Sequence, residues 1–259
     1  MASAPQTNDF PILYNDLVPL SSQQHGDWKG NRVETAPFLA NYHAVPVTID
    51  EFALAQRFFP IVFTSGDQPV PLALMGLNEG ANTIVDDEGK LIREDTYVPA
   101  YIRRYPFMLA KLRPDTDELS LCFDPTSEAL GPNGDGDPLF VDGKPSETTQ
   151  AILGFCEQFE QAAQRTGQFM KELVDAKVLI DGEVAIQQEG NDQPFIYRGF
   201  QMVSEEKLRE LRGDTLRKMA KNGMLPLIYA HMFSMQLMRE VFARQMAMGK
   251  VPMPQPVQA

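Results

Sequence analysis

The 259-residue sequence is poor in the residues that build catalytic and metal sites. It has three histidines, two cysteines and one tryptophan. His25, His43 and His231 lie far apart, with no HxD or HExxH spacing, so a histidine metal site would need distant segments. There is no GxSxG, no P-loop and no GxGxxG, which leaves nucleophilic catalysis and nucleotide or dinucleotide binding without local support. No cofactor and no metal are expected. Neither cysteine belongs to a CxxC, and two in a chain this long do not make a disulfide framework. Cys122 lies between Leu121 and Phe123, and Cys156 beside Phe155, so both are expected as buried free thiols. Long hydrophobic runs are missing too. The longest uncharged apolar stretch, residues 222–238, contains Asn222, Gly223, Pro226, His231, Ser234 and Gln236. It falls short of the roughly 20 apolar residues of a spanning helix, and no membrane span is expected. The first ten residues show neither a basic nor an apolar signal region, which predicts a cytoplasmic protein.

Positive charge is also scarce. With 23 Lys and Arg against 35 Asp and Glu, the net charge is −12. That argues against nucleic acid, whose binding needs a basic face, and against anionic lipid. The acidity is concentrated. Residues 114–192 carry a net −13, residues 1–113 carry −4, and residues 193–259 carry +5. The central acidic segment reads as a solvated surface, or as a face that docks onto a basic partner or onto the C-terminal part.

What is present divides the chain into two styles. Residues 1–37, rich in Pro, Asn, Ser and Gln, read as an extended arm. Residues 38–125 read as β-rich. Strands are expected near 42–47, 59–64, 70–77 and 119–123, with a hairpin loop at Ser65–Pro69 and a second hairpin over 82–92 turning at Gly89. A short helix over 49–58 has Asp50 as its expected N-cap. Residues 126–145 read as an acidic Gly/Pro loop. Residues 146–248 read as mainly helical, beginning at an N-cap Ser146 with Ile152, Phe155, Cys156, Phe159, Phe169 and Met170 at helical spacing. A short hairpin is expected within 179–186, one helix from Ser204 through Met219, a stop at Asn222-Gly223, and a last helix near Pro226 that runs to about Met248. Residues 249–259 read as a fraying tail. The expectation is a single α+β domain: a β-rich N-terminal half with tight hairpins packed against a helical C-terminal half.

Few residues point to a site. Tyr97, Tyr101, Arg103, Arg104 and Tyr105 crowd one segment ending at Phe107. Arg offers a planar fork to carboxylates or phosphates, and Tyr offers a stacking face and a hydroxyl. The segment can hold an anion or a partner, or its arginines can pair with the chain's own acids. Asn133 to Asp137 resembles the start of a calcium loop, but the sixth position is Pro138 and the twelfth Lys144, so a surface loop is expected. His231 sits in an apolar helix and reads as a hydrogen-bonded core residue first, a binding residue second. Nine of the thirteen methionines lie from Met202 onward. Met232, Met235 and Met238 make the last helix a core element or a partner or homo-oligomer interface.

Several stretches together resemble the bacterial SapC family: Phe59–Phe63, Pro71–Leu77, Asn82–Asp86, Tyr97–Phe107, Gly136–Phe140, Gly199–Leu208, and Tyr229–His231 with Ser234. The resemblance spans roughly residues 15–243. It implies a link, through the family name, to surface-layer proteins and their export or assembly, and it brings no catalytic residues. An inner-membrane permease shares the name, but this chain lacks its spans. The expected function is a non-enzymatic accessory or interaction protein of a cell-surface or export pathway with a protein partner. The alternative is an enzyme or small-molecule binder with an anion pocket around Tyr101, Arg103, Arg104 and Tyr105.

Overall fold

The structure is a computed structural model describing residues 10–31, 33–113, 115, 117–188 and 193–250. The expected fraying of 249–259 falls largely outside these residues. In chain order the elements are β1 Val18–Pro19, α1 Ser22–His25, β2 Lys29–Gly30, β3 Ala44–Pro46, α2 Phe52–Ala55, β4 Ile61–Thr64, β5 Pro71–Leu74 and α3 Ala100–Arg103. They continue with β6 Phe107–Lys111, β7 Leu119–Phe123, β8 Leu130–Gly131, β9 Phe140–Val141, β10 Lys144–Pro145 and α4 Glu147–Asp175. The last are β11 Leu179–Ile186, β12 Phe195–Val203, α5 Glu205–Arg209, α6 Gly213–Lys221, α7 Met224–Ser234 and α8 Met238–Ala247. The class is α+β, with a β-rich N-terminal half of antiparallel pairings and a helical C-terminal half.

The chain forms two compact units, and each draws on both halves. One takes the chain up to Glu34 and Ile102–Gln161; the other takes Thr35–Tyr101 and the chain from Ala162 on. In the first unit β1, β7 and β6 form an antiparallel sheet in that order, and β2 pairs with β8. Phe123, Leu130, Leu139 and Phe140 form its core, with Trp28 and Phe107 packed against it. Trp28, His25 and Phe123 meet edge to face, an arrangement aromatic quadrupoles favour. The buried Asp124 carboxylate accepts from the Asn15 N–H at 2.7 Å and from the Thr126 N–H at 2.8 Å, which ties the N-terminal arm down. Cys122 and Cys156 are buried free thiols, as their neighbours predict.

The second unit is built on a five-stranded antiparallel sheet, β11-β12-β4-β5-β3. One face carries Ala44, Val62, Leu74, Ile186, Tyr197 and Phe200, which pack against Met238 and Phe242 of α8. The sheet contains the largest departure from the sequence reading. Residues 179–186 are one strand, not a hairpin, and the pairing strand is β12. The turn-like Asp181-Gly182 is an irregularity in that pairing: the register shifts between Gly182 and Val184. Gly182 is required there because a Cβ would come within 2.1 Å of the Phe200 ring.

Other expectations shift locally. The N-cap near residue 50 is Thr48, whose backbone is extended and which forms a capping box with Glu51; Asp50 instead pairs with Arg165. The hairpin over 82–92 reduces to one bridge, Val85 to Leu91, because Asn82 turns inward and donates to the Leu39 and Tyr42 carbonyls. Ser146 caps α4 through the Thr149 N–H at 3.1 Å, and Ser204 caps α5 through the Lys207 N–H. The helix expected from Ser204 through Met219 is two, because Arg212 is extended and starts α6 anew. Gly223, with φ of 80°, separates α6 from α7. The last helix is also interrupted. Ser234 Oγ bonds back to the His231 carbonyl at 2.6 Å, and a 3-10 turn over Met235–Leu237 follows.

Candidate functional site

The tyrosine- and arginine-rich segment begins in the second unit around a buried carboxylate that composition does not reveal. Glu51 is 6 % exposed. One of its oxygens accepts from the Thr48 N–H at 3.0 Å and the Thr48 hydroxyl at 2.9 Å. The other accepts from the Tyr97 hydroxyl at 2.8 Å and the Ala100 N–H at 2.7 Å. Four donors saturate the anion and fix the start of α3, since a buried charge persists only when fully hydrogen-bonded. Tyr97 thus spends its hydroxyl internally, and Tyr101 is 4 % exposed.

The two arginines, adjacent in sequence, have different environments in the first unit. Arg104 is 6 % exposed; its guanidinium lies 4.1 Å from the Phe159 ring centroid, and Nη1 meets Glu160 at 3.1 Å. It also approaches the Tyr14 ring at 6.0 Å. Tyr105 meets Tyr14 edge to face at 5.3 Å, and the Tyr14 hydroxyl donates to the Phe107 carbonyl at 2.8 Å. Arg103 is exposed, with its guanidinium 5.2 Å from the Phe155 ring centroid. The α4 face beside it opens a surface cavity of about 290 Å³ lined by Arg103, Arg104, Phe107, Ile152, Phe155 and Cys156. Burial pushes the Cys156 thiol up to about 11, which favours its neutral form.

His231 stands in the second unit, fully buried, where β4 and β12 diverge. Its Nε2 accepts from the Val203 N–H of β12 at 3.1 Å, and its Nδ1 contacts the Ile61 carbonyl of β4 at 2.7 Å. Those partners assign the neutral tautomer with the proton on Nδ1. Ser234, three residues on, accepts from the Ile61 N–H at 2.8 Å. Two α7 side chains therefore complete the hydrogen bonds of a strand edge. Burial lowers the imidazole to about 4, which keeps it neutral.

The opposite side of α7 carries the most exposed large apolar side chain among the described residues. Phe233 is 62 % and Tyr229 42 % exposed, and their rings stack at 5.9 Å. Met232 and Met235 are half-buried and Met238 is 1 % exposed, so Met238 belongs to the core. Residue type alone did not separate these positions. The i, i+4 spacing of Tyr229 and Phe233 is the signal that could have paired them. No group of three or more His, Cys, Asp or Glu among the described residues could hold a metal ion. No described helix is long and apolar enough to cross a membrane.

The family comparison matches SapC over residues 20–241. The chain belongs to the SapC family. Neither the comparison with curated proteins nor that with solved structures gives a match. Within the matched SapC span lie Glu51 and its donors, both arginines, and the whole of α7.

Proposed function

We propose that this SapC protein is a non-enzymatic accessory protein of a bacterial cell-surface or export pathway, and that it acts from the cytoplasmic side by docking a protein partner. The pathway follows from what the family's surface-layer name implies. The observation that carries the docking role is the stacked Tyr229–Phe233 pair, held outward on a helix whose inner side is locked to the sheet. Exposed aromatics on a rigid element offer large contact area at low entropic cost, which is why they recur as interface anchors. Half-buried Met232 and Met235 beside them supply adaptable apolar surface. The partner in this reading is an envelope-pathway protein with an apolar pocket for the two rings. Homo-oligomerisation through the same face is the competing occupant.

The test is affinity purification of the tagged full-length chain from its bacterial host, with wild type and Phe233→Ser compared at equal folded protein. The expected result is a surface-layer or export component that co-purifies with wild type and falls at least tenfold with the variant, on the order of the loss of one interface anchor. Failure to recover such a component with wild type, or equal recovery with both, contradicts the reading. A wild-type dimer that Phe233→Ser dissociates would replace the partner by a second copy.

A further inference from the structure

We propose that the second unit binds an extended peptide segment with apolar side chains and one carboxylate, and that this segment adds as a strand to the outer edge of β11 beside α8. An edge strand turns half of its backbone N–H and C=O groups away from its own sheet, and natural sheets blunt such edges. The five-stranded sheet has two edges, β3 and β11. β3 is three residues long and ends in Pro46, which has no N–H to offer. β11 is eight residues long. At its start the Leu179 carbonyl accepts from Lys207 Nζ at 3.2 Å. Its last three residues, Val184, Ala185 and Ile186, are uncharged and include no proline. Among the described residues no strand pairs with their outer side.

That stretch of edge opens onto a groove of about 620 Å³. Ala185 and Ile186 line one side of it. Arg239, Phe242, Ala243 and Met246 line the other, and their i, i+3, i+4 and i+7 spacing puts one face of α8 against the groove. Phe242 is 6 % exposed, and its ring meets Phe195 at 5.0 Å and Tyr197 at 6.3 Å, so this apolar surface is already formed. A preformed surface lowers the cost of binding. Arg239 to Met246 is about 10 Å of helix, the length of about three extended residues. A peptide laid along it exchanges backbone hydrogen bonds with the strand edge and sets alternate side chains on Phe242 and Met246.

Charge fixes the remaining feature of the ligand. Arg239 is exposed and is the one charged side chain among the described lining residues. It makes no ion pair with a described residue. Its neighbour Glu240 instead favours the charged forms of Arg93 and Arg244. A lone guanidinium beside an apolar surface and a pairing edge selects a peptide that brings a carboxylate, which its planar fork can hold. Tyr229 and Phe233 do not line the groove, so the site is independent of the docking surface on α7.

The experiment pans a random heptapeptide phage library against the immobilised full-length protein and synthesises the enriched consensus peptide. The consensus is expected to alternate apolar residues and to include one Asp or Glu. It should shift the backbone amides of residues 184–186 and 239–246. Arg239→Glu should weaken binding at least tenfold, on the order of one lost charged hydrogen bond, and amidating the peptide's acidic side chain should do the same. N-methylation of alternate peptide amides should abolish binding in one set, which faces the strand, and be tolerated in the other, which faces solvent. The proposal is overturned if no peptide is enriched, if the consensus lacks an acid, if the shifts lie elsewhere, if both N-methyl sets bind alike, or if a folded Arg239→Glu protein binds like wild type. The wild-type response to the peptide series decides the matter even if the variant fails to fold.

Discussion

His231 and Phe233 are two residues apart on α7, yet one is 0 % and the other 62 % exposed. The inner side of the helix is chemistry turned to structure: an imidazole and a hydroxyl finish the hydrogen bonds of β4 where β12 pulls away. The outer side carries two stacked rings. A polar residue in a helix is usually read as functional and an apolar one as core. On α7 the polar His231 and Ser234 are buried and the apolar Phe233 is exposed, because a buried backbone edge must find partners and the histidine supplies two at once.

Removing the inner partners should have the largest effect. His231→Leu keeps the volume and leaves the Val203 N–H and the Ile61 carbonyl unpaired, at about 1–3 kcal/mol each, so urea denaturation should show a loss of about 4 kcal/mol. A loss under 1 kcal/mol would break the contrast between the two sides. The next effect is acid sensitivity. The imidazole is held near 4 when folded and titrates near 6.5 when unfolded. The unfolded chain thus takes up a proton first, and the stability from neutral His231 is complete above pH 6.5 and lost as pH falls towards 4. A 2.5-unit difference amounts to about 3 kcal/mol. Burial also lowers His25 and His43, which gives the same sign, so the diagnostic measurement is wild type minus His231→Leu across that window. A difference that does not change with pH would contradict the assignment. Ser234→Ala should cost about 2 kcal/mol, because the Ile61 N–H loses its acceptor in a dry site. Phe233→Ser should change stability by less than about 0.5 kcal/mol, the scale of ordinary surface changes.

Local signals made much of the fold legible. Ser146, Ser204 and Gly223 sit where capping and chain reversal need them, and the β4–β5 hairpin follows from two β-rich runs around Ser65-Gly66-Asp67. The SapC match itself was readable from ordered short stretches. The strand β12 was not, because its pairing to β11 turns on Gly182, which looks like a turn residue and is instead a seat for the Phe200 ring. Glu51 was missed for a related reason: a single carboxylate in a short helical segment becomes a hub only when Tyr97 and Ala100, nearly fifty positions on, fold onto it. Arg103 and Arg104 are alike in sequence, and contacts with Glu160, Phe159 and Tyr14, all distant in sequence, distinguish the buried Arg104 from the exposed Arg103.

The most direct test of the division along α7 is the amount of envelope-pathway protein retained per folded chain, wild type against Phe233→Ser, in affinity purification from the host. The account predicts at least a tenfold drop with an unchanged melting temperature. Retention equal to wild type by a fully folded Phe233→Ser protein would contradict it.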